Sequence, residues 1–311
     1  TYNGASGHTK KAMAETLGYH GLSLEQVNAG NRALLANAEA PGEGIEVSIA
    51  NSLWARKDVE FKADFLRRNR DFYGAKITAL DFSDPTAKDT INGWVSKETR
   101  GRIPEIVDEI SPMSVMFLLN AIYFKGQWSD QFEKSETVSQ AFTRGDGRSM
   151  QVQMMHRQAK YEYLQGDGFQ LINLGYGRGR TSMYVLLPSK GVSVGQFSKR
   201  LTSETWEKWM NAIRDRRVEV RLGLPKFRAE MRFDLVKPIA IGPLCDMGMS
   251  PACDLRSDFS AMSPMGKSLY IRRVIHKTYV DVDEEGTEAA AATSVEVAVK
   301  SVVQVTSMIV D

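Results

Sequence analysis

The stretch DEEGTEAAAATSVEV, residues 283–297, decides the fold. Alanine is the best helix former, yet this tract is flanked by Thr and Val, which prefer strands. Sorting by parity from Thr287 resolves the conflict. One set holds Thr287, Ala289, Ala291, Thr293, Val295, Val297 and Val299; the other holds Glu288, Ala290, Ala292, Ser294, Glu296, Ala298 and Lys300. The first is entirely small or apolar and the second takes every charge, which is period-two strand patterning. Fourteen such residues span roughly 45 Å at about 3.3 Å each. A small-residue linker or a frayed helix is the competing reading. The absence of any large side chain over 289–294 favours the strand, because small side chains slide between existing strands without displacing a packed core. The expectation is therefore a loop able to become a strand, with Thr287 and the valines turned inward and Glu288 and Glu296 turned outward.

Working outward, SLYIRRVIHKTYVDVDEEG (268–286) reads as a long strand leading into this segment. SVMFLLNAIYFKG (114–126) is apolar or aromatic at eight of nine positions from Val115 to Tyr123, Asn120 being the exception, and fits a central strand buried on both faces. GIEVSIANSLWARK (44–57), RTSMYVLLPS (180–189) and VEVRLGLPKFRAE (218–230) are further strands. Helices are predicted over 7–19, over 23–38 behind a Ser23/Gln26 capping box, over 61–74 with Gly74 as the C-terminal cap, over 84–101, and over 202–213. Helices concentrate early and strands late without regular alternation, which indicates α+β with mixed or antiparallel sheets. No Pro/Gly/Ser-rich linker divides the chain, so 1–311 is taken as a single domain.

Composition narrows the function. A formal net charge of +2 gives no general pull toward nucleic acid or an anionic membrane, and the apolar runs are too short to span a bilayer. Cys245 and Cys253, in LCDMGMSPACD, fit a small disulfide loop, two free thiols or nothing functional; without a CxxC pair or a histidine cluster they do not suggest a metal site. GVSVG (191–195) matches the nucleophile-elbow pattern with Ser193 at its centre, but Pro188-Ser-Lys separates that serine from the preceding strand and the only downstream histidine is His276, in a predicted strand. A hydrolase is the weaker reading.

HKTYVDVDEEGTEAAAATS resembles the hinge of the serpins, the serine-protease-inhibitor family. LLNAIYFKGQWSDQF (118–132), INGWVSKETRGRI (91–103), LPKF (224–227) and DFSAMS (258–263) are similar to further serpin stretches, in serpin order over nearly the whole chain. The resemblance implies three β-sheets with surrounding helices and a mobile reactive-centre loop. It implies a suicide-substrate inhibitor: a serine protease cleaves the loop, becomes trapped as an acyl-enzyme, and the hinge inserts into the main sheet. Glu284 and Gly286 then open the hinge, Thr287 enters first with Glu288 behind it, and Ala289, Ala290, Ala291 and Ala292 form the small-residue tract. Counting the family's loop length forward from Gly286 places the reactive bond at Lys300–Ser301, and Lys300 is the only basic residue after Lys277. That favours a trypsin-like protease; Val299, Val302 or Met308 would instead suit an elastase- or chymotrypsin-like one.

Asn120 and His276 match the serpin polar pair where strands part, and Trp128, Thr137, Lys226 and Glu284 match the cluster at the loop's point of entry. The bland reading of all six is packing and surface ion pairing, and they are expected to control sheet opening without doing chemistry. No cofactor, metal, nucleic acid or membrane is implied; the expected form is a monomer in an extracellular or periplasmic compartment. Complete members of the family carry helices before the position of Thr1 and two core strands after that of Asp311. The alternative within the family is a non-inhibitory binding protein, whose hinge would carry bulky or charged residues that this one lacks.

Overall fold

The computed structural model describes residues 1–178, 180–214, 216–237 and 240–300. In chain order the elements are α1 (Gly7–Thr16), α2 (Leu24–Ala38), β1 (Ile45–Arg56), α3 (Ala63–Tyr73), β2 (Lys76–Leu80), α4 (Ala87–Glu98), β3 (Ser114–Gln127), β4 (Val138–Thr143), β5 (Ser149–Gly166), β6 (Phe169–Tyr176), β7 (Thr181–Pro188), α5 (Val194–Ser198), α6 (Ser203–Ile213), β8 (Arg217–Pro225), β9 (Phe227–Val236), α7 (Ser250–Cys253), β10 (Leu269–Val282) and β11 (Gly286–Val299). Local signals account for many of these bounds. The Ser23 hydroxyl accepts from Gln26 N while the Gln26 side chain accepts from Ser23 N, closing the capping box that starts α2. Gly74 ends α3 at φ 59°, a left-handed conformation that glycine adopts without steric cost.

Among the described residues the main sheet has six strands in the order β2-β1-β3-β11-β10-β9. Only β1–β2 is parallel. The long strand β5 joins two further sheets: it pairs with β4 and β8 along most of its length and with β6 at Tyr163–Gly166, and β6 continues to β7. This is the α+β, three-sheet architecture expected.

One face of the main sheet is covered by α4 and the segment after it. Ile91, Val95, Ile103, Ile106 and Val107 pack there on Trp54, Phe117, Leu119, Ile275, Ala290 and Ala292. Behind the sheet's other face, one end is filled by α1, α7 and the π-turn Cys245–Met249, packed on Met116, Ile271, Val274 and Val297. Trp128, Phe132, Tyr161, Tyr176 and Leu224 join the other end to the sheets around β5. Cys245 and Cys253 are free thiols within the cluster around α1 and α7, both buried, and burial pushes the Cys253 thiol up.

Asn92 fixes α4 to the segment that follows it over the sheet. Its side-chain amide donates to the Val107 carbonyl at 2.8 Å, and its oxygen accepts from the amides of Ile106 and Val107, each at 3.0 Å. Removing it strands three buried backbone groups, each costing about 1–3 kcal/mol if unpaired. Asn92→Ala is expected to lower unfolding stability by about 3 kcal/mol with little change in the dependence on denaturant, measured by urea titration.

Candidate functional site

The alanine-rich segment is not a loop in this structure but the central strand β11, hydrogen-bonded antiparallel on both sides. Thr287–Val297 pair continuously with Gly126–Met116 of β3, and Thr287–Val295 with Val282–Val274 of β10. Thr287 and Val297, on the set expected to turn inward, are 5% and 0% exposed, but the outward turn expected of the charged set needs correction: Ala290, Ala292, Ser294 and Glu296 are each 3% exposed or less, and Glu288 is half-buried. The physical reason is that α4 and residues 103–110 cover that side, and both glutamates find arginines there. Arg102 donates from Nε to Glu288 at 3.0 Å and from Nη2 to its second oxygen, with the Tyr123 hydroxyl adding a bond at 2.8 Å. Arg272 Nη1 reaches both oxygens of Glu296, at 2.8 and 3.0 Å.

The hinge closes with a tight turn at its start. Asp283 N donates to Gly286 O, and the Asp283 carboxylate accepts from Glu285 N and Gly286 N. A β-carbon at Gly286 would lie 2.0 Å from the Gly126 carbonyl oxygen, so glycine alone fits where β11 enters the sheet. Trp128 donates from its indole to Asp283 O at 2.9 Å and from its backbone to Glu285 O. Glu284 is buried yet charged-paired: Thr137 donates to one oxygen at 2.8 Å and Lys226 to the other at 2.7 Å. Burial opposes ionisation of Glu284, but the Lys226 ammonium and the Thr137 hydroxyl outweigh it and hold the carboxyl below its ordinary range. Trp128, Thr137 and Lys226 thus gather around the Asp283–Glu285 turn that carries Glu284. Thr287 Oγ1 accepts from the Tyr176 hydroxyl at 2.6 Å, Tyr176 stacks on Trp128 at 4.6 Å, and burial pushes the Tyr176 phenol up to about 12. Tyr176 was not singled out from the sequence, where it is one aromatic residue beside a glycine.

Asn120 and His276 do not touch each other. β11 stands between them: Thr293 pairs with both in register, His276 Nδ1 lies 2.8 Å from the Thr293 hydroxyl, and Asn120 donates to Asn51 at 3.0 Å. At the far end of β11, Lys300 donates from its backbone to Ser268 O at 2.7 Å and from its ammonium to Ser257 O and Lys267 O at 2.7 and 2.6 Å. Its partner in the expected bond, Ser301, lies outside the described residues, as do Val302 and Met308. Ser193 is the N-cap of α5, its hydroxyl accepting from Gln196 N, which is an ordinary structural role.

A family model described as Serpin (serine protease inhibitor) matches residues 1–311. The chain belongs to the serpin family. It is 36% identical over 270 residues to Serpin B11 of Homo sapiens, covering 84% of this chain and 67% of that one. It is 32% identical to the leukocyte elastase inhibitor of Homo sapiens, covering 94% of this chain and 78% of the relative. Among solved structures, cleaved kallistatin complexed with heparin superposes with a TM-score of 0.88 at 31% identity, over 96% of this chain and 87% of that one. The thermophilic serpin tengpin in its latent state gives 0.84 at 31% identity, over 95% and 78%. Serpins are protease inhibitors rather than enzymes, and inhibition of serine proteases is the activity of this serpin.

Two outcomes follow from the entry cluster. Lys226→Ala leaves the Glu284 carboxylate buried and short of a partner; because Lys226 itself is 39% exposed, the expected loss is about 1–2 kcal/mol, below that of a fully buried pair. Denaturant midpoints of the two proteins measure it. Glu284 and Glu288 both have carboxyls held below the ordinary glutamate value of 4.5, the latter chiefly by Arg102. A lowered native value makes the unfolded chain the stronger proton binder at acid pH. Stability from these groups is therefore full above about pH 5 and lost as pH falls through the carboxylate range. Unfolding midpoints measured from pH 7 to 3 are expected to be flat and then to drop, with a smaller drop in Glu284→Gln.

Proposed function

We propose that this serpin is a suicide-substrate inhibitor whose reactive bond is Lys300–Ser301 and whose preferred targets are trypsin-like serine proteases. The observation that carries the reading is the position of Gly286–Val299 as a complete strand between β3 and β10, ending one residue before Lys300. A protease serine attacks the Lys300 carbonyl carbon, and the bond to the Ser301 nitrogen breaks. That amine departs with the proton relayed by the protease histidine, leaving Lys300 esterified to the protease. Release of the tether lets the hinge enter the sheet, and every residue passing Gly286 draws the esterified end toward the far pole. The Lys300 ammonium supplies the charge that a carboxylate-bearing specificity pocket recognises. We take residues 1–311 as one serpin domain.

The small side chains of the hinge support the inhibitory reading over a purely binding role. A direct test separates trapping of the protease from ordinary loop cleavage. The protein is incubated with trypsin-like and elastase-like proteases and run on denaturing gels. A stable covalent complex with the trypsin-like enzyme is expected, with mass spectrometry of the released peptide placing its new amino terminus at Ser301. Clean cleavage without a complex removes the inhibitory reading, and a different terminus removes the bond assignment. Thr287→Arg is expected to convert inhibitor into substrate, since the bulky cation would replace a side chain that is 5% exposed and bonded to Tyr176. Its gel should show the cleaved protein with little or no complex.

A further inference from the structure

Both strands flanking β11 lose their regular register at the same level. On β10, Ile271 pairs with Val297 and Arg273 with Glu296, so Arg272 is an extra residue in the ladder. On β3, Met116 pairs with Val297 and Ser114 with Ala298, so Val115 is extra. A β-bulge is a local device that re-aims a side chain, and here two bulges converge on one residue of the inserted strand. Arg272, from the β10 bulge, holds both oxygens of Glu296. Ser114, from the β3 bulge, donates its hydroxyl to the same carboxylate. Ser114 and Glu296 are 0% and 3% exposed, and the Arg272 side chain is 19% exposed. Eight residues earlier on the same face, Arg102 and Tyr123 hold Glu288 in a matching way.

We propose that Arg272 and Ser114 are a receptor for Glu296 that fixes the final register of loop insertion. They act as positioning residues for inhibition, the second of two stations of which Arg102 and Tyr123 are the first. The run Ala289–Ala292 is nearly featureless, so its side chains discriminate poorly between registers. A strand displaced by one residue puts its side chains on the opposite face, and one displaced by two keeps the faces but moves Glu296 off both bulges. In either case a carboxylate enters the interior without its arginine, which is strongly unfavourable. Only full insertion brings Glu296 to Arg272. The last segment to enter therefore gains its pairing late, when the esterified protease has already been carried most of the way.

This inference rests on the insertion mechanism proposed above, and the experiment separates the two. The stoichiometry of inhibition and the rate of loop attack by a trypsin-like protease are measured for the wild type, Arg272→Met, Glu296→Lys and the double variant Arg272→Met/Glu296→Leu. Glu296→Lys sets a cation against Arg272 but makes no demand on the sheet before the loop enters, so it tests the receptor even if Arg272→Met folds poorly. The expected result is an unchanged rate of loop attack with a several-fold higher stoichiometry for both single variants, the excess appearing as cleaved inhibitor. The double variant, which removes both charges, is expected to return toward wild type. Wild-type stoichiometry in Glu296→Lys, or a double variant as poor as Arg272→Met, overturns the receptor. Absence of any complex with the wild type overturns the insertion mechanism instead.

Discussion

The structure depends on one steric and hydrogen-bonding constraint: a strand can occupy the centre of a finished sheet only if its side chains fit on both sides at once. Each amide and carbonyl of such a strand finds a ladder partner, which removes the cost of burying a bare backbone. The side chains must then lie against layers that are already packed. β11 meets this with alanine at 289–292, where α4 covers one side, and with valine further on, where Met116, Ile271 and Val274 receive it. At the entry point the tolerance shrinks to a glycine, because the chain passes within contact distance of the Gly126 carbonyl.

Electrostatics completes what packing leaves unspecified. Alanines fit almost anywhere, so they confer permission without direction. The charged residues supply direction. Glu284 anchors the turn through Thr137 and Lys226, and Glu288 and Glu296 meet arginines at two levels of the sheet. Each pair is wholly or partly withdrawn from water, where the loss of one partner costs more than the pair itself contributes.

Much of this was legible in the sequence. The period-two sorting of 286–299, the apolar run of β3, the capping box of α2 and the Gly74 cap all depend on near neighbours in the chain, and local chemistry decides them. The hinge cluster was legible only through family resemblance, since Trp128, Thr137, Lys226 and Glu284 lie far apart in sequence. The burial of Glu288 and Glu296 is not legible, because charge is a guide to the outside only when no opposite charge waits inside; Arg102 and Arg272 reverse that rule, and nothing in the spacing of residues announces them. The bulges at Val115 and Arg272 were equally hidden, because an extra residue in one strand is defined by its partner. Strands β4, β5 and β6 went unmarked as well. In β4 every residue is exposed, and in β5 the two-sided pairing breaks the simple alternation that marks a half-buried strand.

The turn at Asp283–Glu285 has a kinetic consequence. It joins β10 to β11 directly, so the inserted strand is closed at one end like a hairpin. Withdrawal has to start at Val299 and proceed residue by residue, breaking ladders to β3 and β10 together while the glutamates leave their arginines. No small local opening releases the strand, and its persistence is governed by the height of a barrier rather than by the depth of an equilibrium. The molecule behaves as a fuse: it records a single event and is not readily reset.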